Sequence, residues 1–158
     1  MTEVALAPDT TPQPPAMIVQ LLQKLAVPFQ VRQEQADLNP AQRVQAVLLE
    51  DELGALLALF PQSQLLDLSR LAELTGRKLV AVKPERLQRM LSKHQLALLP
   101  GLPALTSSPC LYEERLLQEP LLLIESGQAG VLLEIPSDAF KGLLSKASTA
   151  RFGEPLKL

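Results

Sequence analysis

The sequence predicts an α+β domain built on a mixed sheet. Three observations predict it. Segments with apolar residues at helical spacing are mixed with short strand-like runs, without the strict strand–helix–strand rhythm of a parallel α/β fold. Two of those runs, about 43–50 and 55–60, are separated only by the acidic turn Glu50-Asp51-Glu52-Leu53-Gly54, which reads as an antiparallel hairpin. The chain has 158 residues, about the length of one domain, and is 47% apolar but only 3% aromatic, so Leu, Val, Ile and Ala must fill the core.

The elements follow in order. Residues 1–15, MTEVALAPDTTPQPP, hold four prolines and little to bury, and read as a disordered Pro-rich arm. The domain proper runs over 16–147. From Met17 the spacing of Ile18, Leu21, Leu22 and Leu25 covers one helix face, with Pro28 as the stop. "PFQVRQEQ" alternates, with Phe29 and Val31 facing inward. After the 43–60 hairpin, Asp67 is the N-cap and Gly76 the end of a helix whose buried face is Leu68, Leu71, Ala72 and Leu74. "KLVAV" is a short strand. Pro84 opens a helix to about Lys93, with Leu87, Met90 and Leu91 inward. "CLYEE", "PLLLIES" and "VLLEI" are strands, the last two joined by the turn Ser126–Gly130, and "PSDAFKGLLSK" is a closing helix with Ser137 as N-cap. Residues 148–158 read as a tail or a linker toward a further domain.

Composition narrows the function. A formal net charge of −2 argues against a broad nucleic-acid platform but leaves room for a local basic patch. A single cysteine, Cys110, forms no internal disulfide, and with no signal-peptide pattern this points to the cytoplasm. No apolar run nears the ~20 residues of a membrane span. One cysteine and one histidine, His94, supply no metal cluster, and no cofactor motif is present. His94 reads as a helix end, or else as a residue at a pocket mouth.

The strings "AVPFQV", "VQAVLLED…GALLALFP", "LLDLSRLAELTGRKLVAVKPERLQRML", "LPGLPAL", "CLYEERLL" and "IESGQAGVLLEIPSDAFKGLL", in this order, resemble the YbaK/prolyl-tRNA-synthetase-associated aminoacyl-tRNA editing domain family over about 17–145. The resemblance implies a curved, barrel-like mixed sheet of six or seven strands with surrounding helices. It implies hydrolysis of a mischarged aminoacyl-tRNA, with a lysine on the 43–50 strand and a Gly-x-x-x-Pro loop around the aminoacyl group. The whole chain also resembles the N-terminal part of longer proteins that join such a domain to an HDOD signalling domain.

Two positions depart from that pattern. The family lysine falls at Ala46, on a face shared with Val44 and Leu48, while Arg43 and Gln45 alternate to the other face. Either Ala46 marks a lost lysine or it is an ordinary core alanine, and a one-residue shift would place Gln45 there. In Leu99-Pro100-Gly101-Leu102-Pro103, Leu99 stands where the family glycine is implied, unless the segment is a plain surface turn. Gly127 and Gly130 match the family's glycine turn, though such turns are common. Ser107 and Ser108 bring hydroxyls near the loop without an acid–base partner. Arg86, Arg89 and Lys93 fall on one helix face and read as a phosphate contact or a solvated face. Two functions follow: a degenerate editing domain acting as a binding or regulatory module for aminoacyl-tRNA, an amino acid or a nucleotide; or an active deacylase that relies on backbone groups and substrate hydroxyls to direct water.

Overall fold

The structure, a computed structural model, describes residues 12–105, 108–144 and 147–155. Among the described residues, helices α1 (Ala16–Lys24), α2 (Leu68–Thr75), α3 (Pro84–Lys93) and α4 (Ser137–Leu143) accompany ten strands. The strands are β1 (Gln30–Gln33), β2 (Val44–Asp51), β3 (Gly54–Pro61), β4 (Gln64–Leu66), β5 (Val80–Ala81), β6 (Cys110–Glu113), β7 (Leu121–Glu125), β8 (Val131–Pro136), β9 (Ser148–Ala150) and β10 (Gly153–Pro155).

The α+β class and the mixed sheet hold, with the strands divided among sheets of five, three and two. The five-stranded sheet runs β5-β2-β3-β6-β9, antiparallel except for the parallel β3–β6 and β6–β9 pairs. The antiparallel sheet β1-β8-β7 meets it where Arg43 bridges to Leu123. That junction brings the start of β2 beside β7.

The β2–β3 hairpin packs against a core on each face, which explains the apolar runs Ala46–Leu49 and Ala55–Phe60. Val44, Leu48, Leu57 and Leu59 join α1's Ile18 and Leu22 and β7's Leu122 and Ile124 in one core. Leu49, Leu56, Ala58 and Phe60 pack with Leu71 and Phe152 in a second core, where the two phenyl rings meet edge-on at 6.4 Å. Cross-strand partners Leu48 and Leu57 share the first core, as expected. At the turn, Gly54 takes φ +130, and the Asp51 carboxylate accepts Arg77's guanidinium through two bonds of 2.8 and 2.7 Å.

Several local expectations are corrected. Helix α1 stops at Lys24, before Pro28, because Ala26 adopts φ 57 and the Ala26 and Val27 amides donate to Gln23 O and Leu22 O, a Schellman closure without glycine. In β1, Val31 is exposed, and the neighbouring Arg32, partly exposed, is ion-paired with Glu134. Helix α2 has its Asp67 cap and its Gly76 end in the left-handed region, but among its residues only Leu71 is buried; Leu68 and Leu74 are exposed because the helix is a single layer over the second core. Helix α3 buries Leu91, leaving Leu87 half-buried and Met90 at the surface. The N-cap of α4 is Pro136 and not Ser137, whose amide is instead held by Pro120 O at 2.9 Å.

Both ends also differ from the sequence reading. Residues 1–11 lie outside the described residues; Pro12 O accepts from Gln33 Nε2, and the carbonyl of Pro15, the N-cap of α1, accepts the amides of Ile18 and Val19. Within the span read as a tail, β9 pairs with β6, β10 pairs with β4, and Phe152 is buried. The buried Glu113 carboxylate fixes this segment, accepting the amides of Phe152 and Gly153 at 2.7 Å each.

Candidate functional site

Ala46 lies mid-strand on β2, opposite Leu59, half-buried on the face that Val44 and Leu48 share. Its methyl group leaves the space that a longer side chain would fill. The wall facing it comes from the chain beyond α3. His94 closes that helix, Gln95 takes φ 58, and the amides of Gln95 and Leu96 donate to Ser92 O and Leu91 O. This is a second Schellman closure, and the buried pair Leu91 and Leu96 completes it. The exit angle it fixes carries Leu98 and Leu99 toward β2.

Gly127 secures the same loop. Its carbonyl accepts the amides of Ala97 and Leu98 at 2.8 and 3.2 Å. Its φ is +98, and a Cβ there would meet Leu96 Cδ2 at 2.8 Å and Pro100 Cγ at 3.4 Å. Glycine is therefore required both for the turn and for the close approach. The buried Ser126 hydroxyl accepts the Gln128 amide at 3.2 Å and stiffens the turn.

Between these walls lies a cleft of about 250 Å³, lined by Arg43, Val44, Gln45, Ala46, Gln62, Leu98, Leu99 and Glu125. Leu99 separates it from a second, more apolar cavity of about 310 Å³ beneath α3, reached by Leu87, Met90, Leu91, Leu105 and Ser108, with Lys93 and His94 among its lining.

The charges in the cleft form a chain. Arg43 is ion-paired with Glu34, and its Nη2 lies 3.7 Å from Glu125 Oε2. Glu125 ends β7, its side chain only 19% exposed. Its Oε1 is buried with no hydrogen-bond partner among the described residues. Burial pushes the Glu125 carboxyl above the usual carboxylate range; Arg43 opposes that rise and Glu34 adds to it.

The sequence-predicted site residues separate accordingly. Ala46 and Leu99 face one cleft. Gly101 is buried behind it, where a Cβ would make only ordinary contacts of 3.5 Å with Val44 and Ile124. Pro103 opens a 3-10 turn, Pro103–Leu105. Ser108 lines the second cavity, and Ser107 lies outside the described residues. Gly127 braces the loop; Gly130, at φ +79, serves the turn alone, with nothing within 4 Å of a would-be Cβ. Arg86, Arg89 and Lys93 are exposed on α3, and Arg86 is ion-paired with Glu50.

Arg43 and Glu125 also line the cleft, although the sequence reading does not place them there. Strand alternation assigns Arg43 to the face opposite Ala46, yet it sits just before β2, at the bridge to β7, and its long side chain reaches the cleft. The signal for Glu125 was a carboxylate directly after four apolar residues, Leu121 to Ile124. No group of three or more His, Cys, Asp or Glu could hold a metal ion among the described residues. No helix among them is long and apolar enough to cross a membrane.

A family model described as an aminoacyl-tRNA editing domain matches residues 29–143. No curated protein sequence matches significantly. Among solved structures, a candidate signal transduction protein from Marinobacter aquaeolei VT8 superposes with a TM-score of 0.80 and 27% identity over 87% of this chain. This chain spans 30% of that protein's length. A candidate trans-editing enzyme for prolyl tRNA synthetase superposes at TM-score 0.73 and 23% identity, covering 91% of this chain and 99% of the other. At that identity the likeness is one of fold.

Proposed function

Because this chain belongs to the aminoacyl-tRNA editing domain family, we propose that its cleft receives the aminoacyl end of a charged tRNA, or the free amino acid, and binds it without hydrolysing it. The observation that carries this reading is Ala46 facing the cleft with Leu99 across from it. The family resemblance implies a lysine and a glycine at these two places. A methyl group holds no phosphate or hydroxyl, and leucine at 99 keeps backbone amides away from an ester carbonyl. The nearest cation, Arg43, is already engaged by Glu34.

Size favours an amino acid over a nucleotide: about 250 Å³ lies below the ~300–1,000 Å³ of sites for drug-sized ligands. The tRNA interaction that the family implies would use α3, where Arg89 and Lys93 form no ion pair among the described residues. The likeness to the Marinobacter signal transduction protein, of which this chain spans 30%, supports a role as one part of a longer signalling protein; an HDOD-type domain as its partner, and a place in the cytoplasm, are what the sequence reading implies.

The alternative, an active trans-editing deacylase, is favoured by Glu125. A carboxyl of raised pKa in the cleft could accept a proton from attacking water, adding to the backbone groups and substrate hydroxyls that the family pattern implies. A deacylation assay over a panel of mischarged tRNAs separates the two readings. The binding reading expects rates equal to spontaneous ester hydrolysis, and sustained turnover refutes it.

A further inference from the structure

Glu125 is an uncommon carboxylate for a strand end. It follows the buried run Leu122–Ile124 and is itself four-fifths buried, with Oε1 unpartnered. A buried acceptor without a partner costs about 1–3 kcal/mol, more when it is charged; the Ser126 amide donates to this carboxyl, and Oε1 has room for a further donor. Arg43 does not satisfy it: the 3.7 Å separation is beyond hydrogen-bonding range, and Arg43 is ion-paired with Glu34. Two carboxylates, Glu125 in the cleft and Glu34 beside it, thus share one guanidinium, and the group of three carries one excess negative charge when all are ionised.

We infer that Glu125 is the anchor for the ammonium group of the cleft's ligand, which is therefore a small α-amino acid or its ester rather than an N-blocked or amine-free acyl group. This inference rests on the proposed function of the cleft and names the chemistry that selects its ligand. The geometry suits the role. The terminal torsion of glutamate is soft and roughly two-fold, so rotation of the carboxylate presents either oxygen to the cleft at little cost. An ammonium there adds the missing positive charge and hydrogen-bond donors, a charge-assisted interaction of the stronger kind. Ala46, Leu98 and Leu99 offer apolar surface to a short side chain, and Gln45 and Gln62 bring polar groups to the same lining for the ester or carboxyl group. The raised carboxyl pKa agrees with a charge that the free protein compensates incompletely.

The test titrates the full chain by calorimetry with alanine methyl ester and proline methyl ester, and with N-acetylalanine methyl ester and methyl propionate as amine-blocked and amine-free controls. The amino esters should bind at least about tenfold more tightly than the controls. Glu125→Gln, nearly isosteric, should reduce amino-ester affinity to the level of the controls and leave theirs unchanged. Equal binding of all four probes by the wild type, lost when Ala46→Phe fills the cleft, overturns the ammonium anchor while the cleft reading stands. Binding of none of them overturns both. The wild-type comparison needs no variant, so a poorly folding Glu125→Gln protein does not shelter the inference.

Discussion

Replacing Ala46 with lysine tests the site most directly. Position 46 points into the cleft, and about 250 Å³ is available there, so the new side chain needs no displaced neighbour. Its ammonium would share the cleft with the Glu125 carboxylate. At ~4 Å and an effective dielectric near 20 the attraction is about 4 kcal/mol, reduced to about 1–2 kcal/mol by water entering an open cleft. That gain roughly offsets the desolvation of the lysine, so stability should change by less than about 1 kcal/mol. The attraction also draws the Glu125 pKa back toward the ordinary carboxylate range. For catalysis, one positioned charged contact supplies up to ~2.7 kcal/mol, which is a hundredfold in rate. Deacylation of mischarged prolyl-tRNA should therefore rise by up to about a hundredfold over wild type. Ala46→Lys with Leu99→Gly, which opens the wall between the two cavities, should rise further. The assay follows loss of radiolabelled aminoacyl ester against a no-protein control. A folded double variant that binds amino esters yet hydrolyses no faster than wild type would show that positions 46 and 99 are not what withholds the chemistry.

Four further outcomes follow from the same contacts. Leu48→Ala, at a 3% exposed position paired with Leu57, should cost about 2–5 kcal/mol in denaturant unfolding, and a near-neutral result would refute the shared core. Asp51, its pKa lowered to about 2 chiefly by the Arg77 hydrogen bond, contributes stability that is complete above its unfolded value near 3.8 and is lost as pH falls through about 2. Melting temperatures should accordingly drop over that window in the wild type and less in Asp51→Asn. Charge reversal of Arg89 and Lys93 should weaken tRNA binding and flatten its salt dependence, whereas reversal of Arg86, already tied to Glu50, should do less; equal effects from all three would count against the distinction. Gln95→Gly, which relieves a left-handed residue at φ 58, should raise stability by about 1 kcal/mol, and any loss would contradict the Schellman reading of the α3 end.

The parts of the fold legible in sequence are those governed by local rules. The 43–60 hairpin, the Asp67 and Gly76 ends of α2 and the Pro84 start of α3 each depend on residues within a few positions of one another. The parts that were not legible depend on distant partners. Nothing near Ser148 signals that it will pair with Leu111, and nothing near Phe152 signals the Glu113 carboxylate that receives its amide. Helix faces are incompletely legible for the same reason. Apolar periodicity marks which residues could be buried, but α2 has only one layer beneath it, so Leu68 and Leu74 stay in water.

The candidate site divides along the same line, and the division bears on its chemistry. Ala46 and Leu99 could be located because strand alternation and a family motif address single positions, whereas the group Glu34, Arg43 and Glu125 exists only once β7 is laid beside the start of β2. The walls of the cleft are likewise set by contacts that do not involve the residue at 46. The Gly127 carbonyl holds Ala97 and Leu98, the Leu91–Leu96 closure ends α3, and the Leu123 amide donates to Gln42 O at 2.8 Å. None of these depends on a long side chain rising from β2. The same cleft can therefore stand with alanine or lysine at its floor, and its ligand can be selected by a carboxylate on a different strand. On the proposed function, position 46 sets what happens to an ester in the cleft and Glu125 sets which molecules bind there, so substitutions at the two should act on separate quantities: turnover at 46, affinity for the ammonium group at 125.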